Sequence, residues 1–308
     1  MRIKHLKRSQ INIEKWNYCV ENSIDSIIYC YSWFLDIITE NWEALVLDDY
    51  KAVFPLTKNS KFGINYLYTP VYIQKIKILS TNQLTKDDYL LFFNSIPKKY
   101  FLIDINIEIS KCFIPEKYQI FTFDNYELNL NKSFSELQNN FRRNTKRNIS
   151  KAIENKIIVK EENKFDDFIN IRKSRAFERK NSTIKEFHFT RLSNLITYCL
   201  ANKTAKIYNA YNAQGEFCSS CIFFFSKNRI IISHISTDKG FEVNANYLIL
   251  DTFIRNYAEN DLILDFTGSN IKGIAYFNEG FGSSKTEYYR IYKNKITELY
   301  KFYKKLKF

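Results

Sequence analysis

Glycine and proline are scarce in this sequence, with seven and four residues among 308. Its apolar runs are also short, and none comes near the roughly 20 residues that a bilayer-spanning helix needs. The N-terminal Met-Arg-Ile-Lys-His-Leu-Lys-Arg lacks the apolar core of a signal peptide. From these absences we expect no transmembrane segment, no secretory leader and a cytoplasmic protein.

The cysteines form no disulfide framework. Six are present, at positions 19, 30, 112, 199, 218 and 221, without regular spacing and mostly among apolar neighbours, as is typical of free thiols in a reducing compartment. One C-x-x-C, Cys218 to Cys221, falls inside a predicted strand, and no second C-x-x-C or nearby His completes a zinc site. We therefore interpret the thiols as core residues and predict no metal site.

The composition is that of a globular protein, 45% hydrophobic and 26% charged, and the length leaves room for two domains. The formal net charge of +13 indicates an anionic partner such as RNA, a nucleotide-linked substrate or an acidic membrane surface. The alternative is a genome-wide bias, because Ile, Asn, Lys, Tyr and Phe are abundant together.

The second half of the chain has the clearer periodicity. Its apolar spacing and turn signals predict the order β-α-α-β-β-β-α-β-α-β. The predicted elements are Ile157–Glu161, Phe165–Lys180, Phe187–Asn202, Ala205–Tyr211, Phe217–Phe225, Arg229–Ser236, Asn244–Glu259, Leu262–Phe266, Ile271–Glu279 and Thr286–Tyr292.

The first half repeats this order loosely, without detectable repetition of the letters. Its predicted elements are helices Ile11–Glu21 and Ser32–Glu40, strands Trp42–Leu47, Lys51–Leu56 and Gly63–Tyr68, a helix near Lys86–Asn94, strand Tyr100–Asn106, and a strand pair near Gln119–Phe123 and Tyr126–Leu130.

GNAT acetyltransferases use this order of elements. The sequence therefore predicts an α/β (α+β) protein with a tandem duplicated GNAT (acyl-CoA N-acyltransferase-like) fold, each domain a mixed, mostly antiparallel sheet flanked by helices. We expect an N-terminal domain at 1–132, an interdomain helix at 133–155, a C-terminal domain at 156–293 and a C-terminal helix at 294–308.

The interdomain helix, predicted over Phe134–Asn155, begins with a capping box between Ser133 and Glu136. One face is apolar and the other is basic. The cations of the basic face are spaced four residues apart, so their side chains project together. Such a face is typical of phosphate or RNA binding. The alternative is a helix face that is simply solvated. The cations are Arg142, Arg143, Lys146, Arg147 and Lys151.

The C-terminal segment Asn294–Phe308 is predicted to be a Lys-rich amphipathic helix that packs back on the body. Association with a membrane surface is the alternative.

Chemistry-bearing residues cluster between Asp265 and Gly282. Asp265-Phe-Thr-Gly-Ser-Asn270 directly follows a buried strand, and four of the seven glycines lie between 268 and 282. Such clustering in a Gly-poor chain indicates positive φ angles or close approach to a ligand. The carboxyl end of a strand is also where open α/β sheets place their sites.

This stretch resembles the second-domain signature of Fem-type peptidoglycan aminoacyltransferases and their GNAT-fold relatives in Bacteroidetes. The matching pattern is D-F-x-G-S, then G-I, F-x-x-x-F-G and a closing Y-Y-x-I that includes Tyr289. Further similar segments extend the resemblance over nearly the whole chain: Lys15–Asn17, Ile28–Asp36, Trp42–Val46, Val53–Leu56, Tyr66–Pro70 and Phe141–Arg147.

The resemblance implies direct attack of an amine on an activated acyl carbon, without a covalent nucleophile. It implies catalytic residues and a substrate-binding set near the acceptor. The catalytic set is Asp265, Asn278 and Glu279, and the substrate-binding set is Gly268, Ser269, Asn270, Arg179, Lys180 and Tyr289.

Two departures from the family pattern bear on the donor and the chemistry. Acetyl-CoA-dependent GNAT enzymes carry a Gly-rich pyrophosphate loop where this chain has Thr237–Ala245, so we expect no cofactor, acyl-CoA being the alternative donor. Fem enzymes tend to have Lys where this chain has Asn278, and an amide donates a hydrogen bond without supplying charge.

Several of these residues have a structural alternative. Asp265 is either a base or the cap of the following turn, and Glu279 is either a base or a solvated side chain. Arg179 and Lys180 either face acceptor phosphates or are ordinary helix-end cations. His188 and His234 are isolated in the sequence, and we interpret both as structural.

Three functions follow as hypotheses. The first is an acyl- or aminoacyl-transferase that acts on a nucleotide-linked or lipid-linked cell-wall precursor peptide, with aminoacyl-tRNA as donor. The second is an N-acyltransferase on an amino sugar for surface polysaccharide. The third is a non-catalytic protein that binds RNA or another polyanion through the basic helix.

Overall fold

The computed structural model describes residues 2–178, 183–268 and 270–295. Within these ranges the chain forms two compact units. Unit 1 comprises residues 2–123 and 287–295, and unit 2 comprises residues 124–286.

Strands and helices alternate along both units. The strands are β1 (Ile3–Lys7), β2 (Trp42–Leu47), β3 (Ala52–Lys61), β4 (Ile64–Tyr68), β5 (Leu79–Ser80), β6 (Leu102–Ile107), β7 (Gln119–Asn129), β8 (Ile158–Glu161), β9 (Ala205–Tyr211), β10 (Phe217–Ser226), β11 (Arg229–Ser236), β12 (Ile263–Asp265) and β13 (Ser284–Asn294). The helices are α1 (Ile13–Asn22), α2 (Ser32–Ile38), α3 (Lys86–Ser95), α4 (Phe134–Asn139), α5 (Arg143–Glu154), α6 (Asp166–Glu178), α7 (Glu186–Ala201), α8 (Asp238–Glu242), α9 (Ala245–Tyr257) and α10 (Lys272–Gly280).

The sheet of unit 1 has the order β1-β2-β3-β4-β6-β13. Its neighbours are antiparallel except for the parallel pair β4 and β6. The apolar face of α1 packs Trp16 against Trp42 of β2, with ring centroids 5.0 Å apart. Because Trp16 is fully buried, its indole nitrogen needs a partner, and Nε1 donates to the carbonyl oxygen of Cys30 at 2.9 Å.

The sheet of unit 2 has the order β8-β9-β10-β11-β12 followed by residues 124–129 of β7. It repeats the pattern of unit 1, because β11 and β12 are parallel and the other neighbours are antiparallel. Helix α9 buries Ile249, Leu250, Phe253 and Ile254 at helical spacing. Phe253 stacks on Phe223 of β10, which anchors the helix to the centre of the sheet.

The α/β class and the mixed, mostly antiparallel sheets match the sequence prediction. The units differ from the predicted domain ranges, because β13 pairs with β6 in unit 1 and the second half of β7 pairs with β12 in unit 2. The predicted pair of strands at 119–130 is the single strand β7. Of the six cysteines, all but Cys112 are buried, and all six are free thiols.

The predicted interdomain helix is broken. Its capping box at Ser133 and Glu136 is present, but α4 ends at Asn139 and α5 begins at Arg143. The break arises because the backbone N–H of Arg142 donates to the carbonyl oxygen of Gly280 at 2.9 Å instead of continuing the helix. The predicted C-terminal helix lies outside the described residues from 296 onward. No helix in the described ranges has both the length and the apolar character required to cross a membrane.

Candidate active site

The sheet of unit 2 opens between β11 and β12. The two strands pair in parallel over three positions, ending with Ile231 opposite Asp265. Beyond this point β12 stops, whereas β11 continues to Ser236 and pairs there with β10. The outer edge of the last residues of β11 is therefore left without a neighbouring strand within the described part of unit 2.

A cavity of about 650 Å³ lies at this opening. Five elements supply its walls: α6, β11, α8, the start of α9, and α10. A concave site of this size is typical of small-molecule binding. The described lining residues are Arg172, Arg175, Ala176, Ile184, His234, Ile235, Ser236, Gly240, Phe241, Asn244, Asn246, Tyr247, Gly273, Ile274 and Phe277.

The equivalent gap in unit 1 is filled by its own chain. There β4 and β6 also pair in parallel over three positions, but Ile76 then pairs with Ile107 just beyond them. The N–H of Ile76 donates to Asn106, and its carbonyl oxygen accepts from Glu108, each at 3.0 Å. The two units therefore share a strand pattern but differ at the position where unit 2 has its cavity.

His234 lines the cavity from the part of β11 that extends past the end of β12. Burial, together with the positive charge of the neighbouring Arg172 guanidinium, lowers the pKa of its imidazole to about 4. The ring is thus neutral at pH 7 and can accept a proton or a hydrogen bond. From the sequence we interpret His234 as a structural residue. In the fold, its ring also lines the candidate site.

Asn246 lines the cavity from the first turn of α9 and is nine-tenths buried. The Ser219 hydroxyl donates to its Oδ1 and also lies 2.8 Å from the carbonyl oxygen of Ile235. This contact holds the side-chain amide of Asn246 in place at the cavity. Nδ2 is a neutral hydrogen-bond donor of the kind that stabilises an oxyanion.

Asp265, predicted as catalytic, is held in a structural network. It is fully buried, and its Oδ2 lies 2.9 Å from Nη1 of Arg229, which also contacts Glu127 at 2.6 Å. Its Oδ1 accepts from the backbone N–H of Thr267 at 2.8 Å. This arrangement matches the turn-capping alternative, and Asp265 is not among the described residues that line the cavity.

Asn278 and Glu279 lie on α10 but are also outside the described cavity lining. The Glu279 carboxylate accepts from Nη2 of Arg142. Asn278 is fully buried, and neither polar atom of its side chain has a hydrogen-bond partner within the described residues. Burying such an amide unpaired is costly, so Asn278 remains a candidate for contact with a bound group.

The predicted substrate-binding glycine, Gly268, has φ of +43°, and a Cβ there would lie 2.1 Å from the carbonyl oxygen of Asp124. Glycine is therefore required by packing against β7. Asn270 supports the same contact, because its Oδ1 accepts from the N–H of Asp124 at 2.9 Å. Both residues shape the loop after β12.

Of the remaining predicted substrate-binding residues the structure describes Tyr289, which is not among the described residues that line the cavity. Tyr289 belongs to unit 1, where its hydroxyl donates to Glu287 at 2.9 Å. Ser269, Arg179 and Lys180 lie outside the described residues.

The basic face of α5 is exposed at Arg142, Arg143, Lys146 and Arg147. Arg142 contacts Glu279, while Lys146 donates to the carbonyl oxygen of Asn139 and Arg147 to the side chain of Asn144. The first turn of α5 contains no acidic residue. Cations at the positive end of a helix are unfavourable unless an anion compensates them.

Sequence reasoning missed four cavity residues, Arg172, Arg175, His234 and Asn246. The two arginines stand three apart on a predicted helix, which is the one signal that indicated a shared face. The other two lie in different elements and meet only through the fold.

Comparison with solved structures identifies the fold. The chain is similar to FemX, with a TM-score of 0.66 at 11% identity over 94% of this chain and 97% of that one. It is also similar to the C-terminal domain of a putative lysylphosphatidylglycerol synthetase from Agrobacterium fabrum (TM-score 0.54, 8% identity, 92% and 91% covered). A third similar structure is L-PGS from Bacillus licheniformis (TM-score 0.54, 12% identity, 91% of each chain).

The predicted fold class is therefore confirmed: the chain has the α/β fold that FemX has. No family model matches the sequence, and no curated protein matches it. At these identities the likeness defines the fold, and the function has to be argued from the site.

Proposed function

We propose that this protein is an acyltransferase that forms an amide on an amine acceptor, with the reaction in the cavity of unit 2. The observation that carries the proposal is the opening between β11 and β12, which places a neutral imidazole and an oriented amide at one cavity inside a FemX-like fold. Direct transfer requires a proton acceptor for the amine and a donor for the oxyanion.

In the proposed reaction, the amine attacks the acyl carbon and the new C–N bond forms as the bond to the leaving oxygen or sulfur breaks. His234 accepts the proton that the nitrogen loses, and the leaving group takes up a proton from solvent. The Nδ2 group of Asn246 donates to the oxygen that carries developing negative charge. Ser219 acts through Asn246 as a positioning residue.

More specifically, we propose that the donor is aminoacyl-tRNA and that the acceptor is a cell-wall precursor peptide. The exposed cations of α5 support it, since Arg143, Lys146 and Arg147 can donate to phosphate groups from the surface of unit 2. Acyl-CoA as donor, and an amino sugar as acceptor, are the alternatives.

The test is product formation detected by mass spectrometry. The purified chain is incubated with aminoacyl-tRNA or acyl-CoA, and with a lysine-containing precursor peptide or an amino sugar. We expect an amide product with one donor, and a loss in kcat of about 100-fold in His234→Gln. His188→Gln, which changes a histidine outside the described cavity lining, is the matched control and should retain full activity.

A second candidate function is RNA binding without catalysis, favoured by the exposed cations Arg143, Lys146 and Arg147 on α5. It predicts salt-sensitive RNA binding that Arg143→Gln weakens. RNA binding with no product from either donor would establish this function in place of acyl transfer.

A further inference from the structure

Strands β3 and β4 of unit 1 form a hairpin with an exposed tip. The first part of β3 is buried, whereas residues 59–63 are exposed. Lys61 pairs with Ile64, so Phe62 and Gly63 form a two-residue turn. Phe62 is 91% exposed. The turn therefore presents an aromatic ring almost fully to solvent.

Phenylalanine is an unfavourable residue for this turn. The φ angles of Phe62 and Gly63 are +53° and +75°, as in a type I′ hairpin turn. Asn, Asp or Gly is favoured at the first of these positions, because a bulky side chain at positive φ is strained. Nζ of Lys61 lies 5.4 Å from the centroid of the ring, but this contact between chain neighbours does not bury it. Folding of the hairpin thus gives no reason for a phenylalanine here.

A second exposed aromatic lies at the same end of the sheet. The N–H of Phe101 donates to the carbonyl oxygen of Asn65 at 3.0 Å, and β6, which follows, runs parallel to β4. Phe101 is 37% exposed. Beside it, Asn294 at the end of β13 pairs with Leu102. We call this end of the unit 1 sheet the basic tip, and it comprises residues 58–68, 97–101 and 293–295.

The basic tip contains six lysines and no Asp or Glu. One carboxylate from β2, that of Glu43, contacts two of these lysines, Lys58 and Lys99. Lys61 and Lys98 are exposed, and neither contacts a carboxylate within the described residues. Positive charge therefore surrounds the exposed rings and attracts an anionic surface.

We propose that the basic tip docks on the surface of an anionic lipid bilayer, with the Phe62 ring inserted among the lipids. Aromatic rings are favoured in the interfacial layer of a bilayer, and lysines beside them reach the anionic headgroups. Single-stranded nucleic acid fits this surface less well, because its bases stack on aromatic faces along a groove, whereas Phe62 occupies an exposed turn. The inference does not depend on the transferase reaction, and either can fail without the other.

The experiment is flotation of the purified full chain with lipid vesicles at low and high salt. One set of vesicles contains equal parts of phosphatidylglycerol and phosphatidylcholine, and the other contains phosphatidylcholine alone. We expect the protein to float with the anionic vesicles, and salt to weaken this binding. Phe62→Asn should weaken it by about tenfold, because the inserted ring is lost. Lys61→Gln should weaken it by about fivefold.

Phe62→Asn also distinguishes docking from a role in folding. Asn suits positive φ at this turn, so the Tm of the variant should equal or exceed that of the parent while binding falls. Phe62→Trp should keep the binding, and the fluorescence that it adds should shift to the blue with anionic vesicles. Tyr18→Gln removes another exposed aromatic of unit 1, on α1, and should bind as the parent does.

Equal flotation with both kinds of vesicle overturns the proposal, as does failure to float with either. Parent-like binding of both Phe62→Asn and Lys61→Gln also overturns it, because another part of the chain would then hold the lipid. Titration with tRNA tests the other polyanion. If Phe62→Asn weakens tRNA binding and leaves flotation unchanged, the basic tip is an RNA surface and the proposal is wrong.

Discussion

Arg229 and Asp265 form a buried ion pair where β11 and β12 separate, with Nη1 and Oδ2 2.9 Å apart. Asp265 is fully buried and Arg229 nearly so. Charges at this depth are tolerated because each compensates the other. The pair thus stabilises the point from which the cavity opens.

Asp265→Asn should lower the free energy of unfolding by about 3 kcal/mol, because it removes one charge of a buried pair and leaves Arg229 with Glu127. Denaturant titration measures the change. Asp261→Asn changes an exposed carboxylate close by and should have little effect. A folded, stable Asp265→Asn variant that had lost transferase activity would show instead that Asp265 is a catalytic base.

Gly280→Ala should destabilise unit 2 by about 1–3 kcal/mol. A Cβ at this position would lie 2.3 Å from Oγ1 of Thr145, so the buried Thr145 side chain would have to rotate or α10 and α5 would have to move apart. Thr145→Ala should relieve the clash, and a double-mutant cycle measures this coupling. Gly273→Ala on the same helix is the control, because a Cβ there meets no atom within 4 Å. It should raise the free energy of unfolding by up to about 1 kcal/mol. Equal effects at both glycines would contradict the close approach of Gly280 to Thr145.

His234 should make the protein less stable as the pH falls from about 6.5 to about 4. Because its pKa in the folded state is about 4, the unfolded chain binds the proton more readily over this interval, and up to about 3 kcal/mol is lost. NMR titration of the three histidines gives the pKa directly. His234→Gln should flatten this part of the stability profile.

Glu43 should produce a separate acid-sensitive step in unit 1. Burial raises the pKa of this carboxylate, but hydrogen bonds from Lys99, Tyr100, Lys58 and His5 outweigh burial and lower it to about 2. Its contribution of about 3 kcal/mol is present above pH 4.5 and is lost as the pH falls toward 2. Glu43→Gln should remove that step in acid denaturation; a wild-type profile that is flat between these pH values would contradict the predicted network.

Local elements could be read from the sequence because they depend on near neighbours. Strands Trp42–Leu47 and Arg229–Ser236 have the predicted bounds, and the capping box at Ser133 starts α4 as expected. The alternation of apolar residues and the capping of helix ends both depend on residues only a few positions apart. The local order of residue types is therefore enough to predict these elements. The repeated order of elements also indicated the fold class.

The tertiary structure decided the candidate site. Asp265 and Gly268 were prominent in the sequence, yet one is held by Arg229 and the other is packed against Asp124. The cavity depends on where β12 stops pairing with β11, and its walls come from helices distant in the chain. Strand register and helix docking are set by packing over the whole core, which no local pattern of letters contains. The sequence alone thus determined the elements and their order, while the fold brought Arg172, His234 and Asn246 to one cavity.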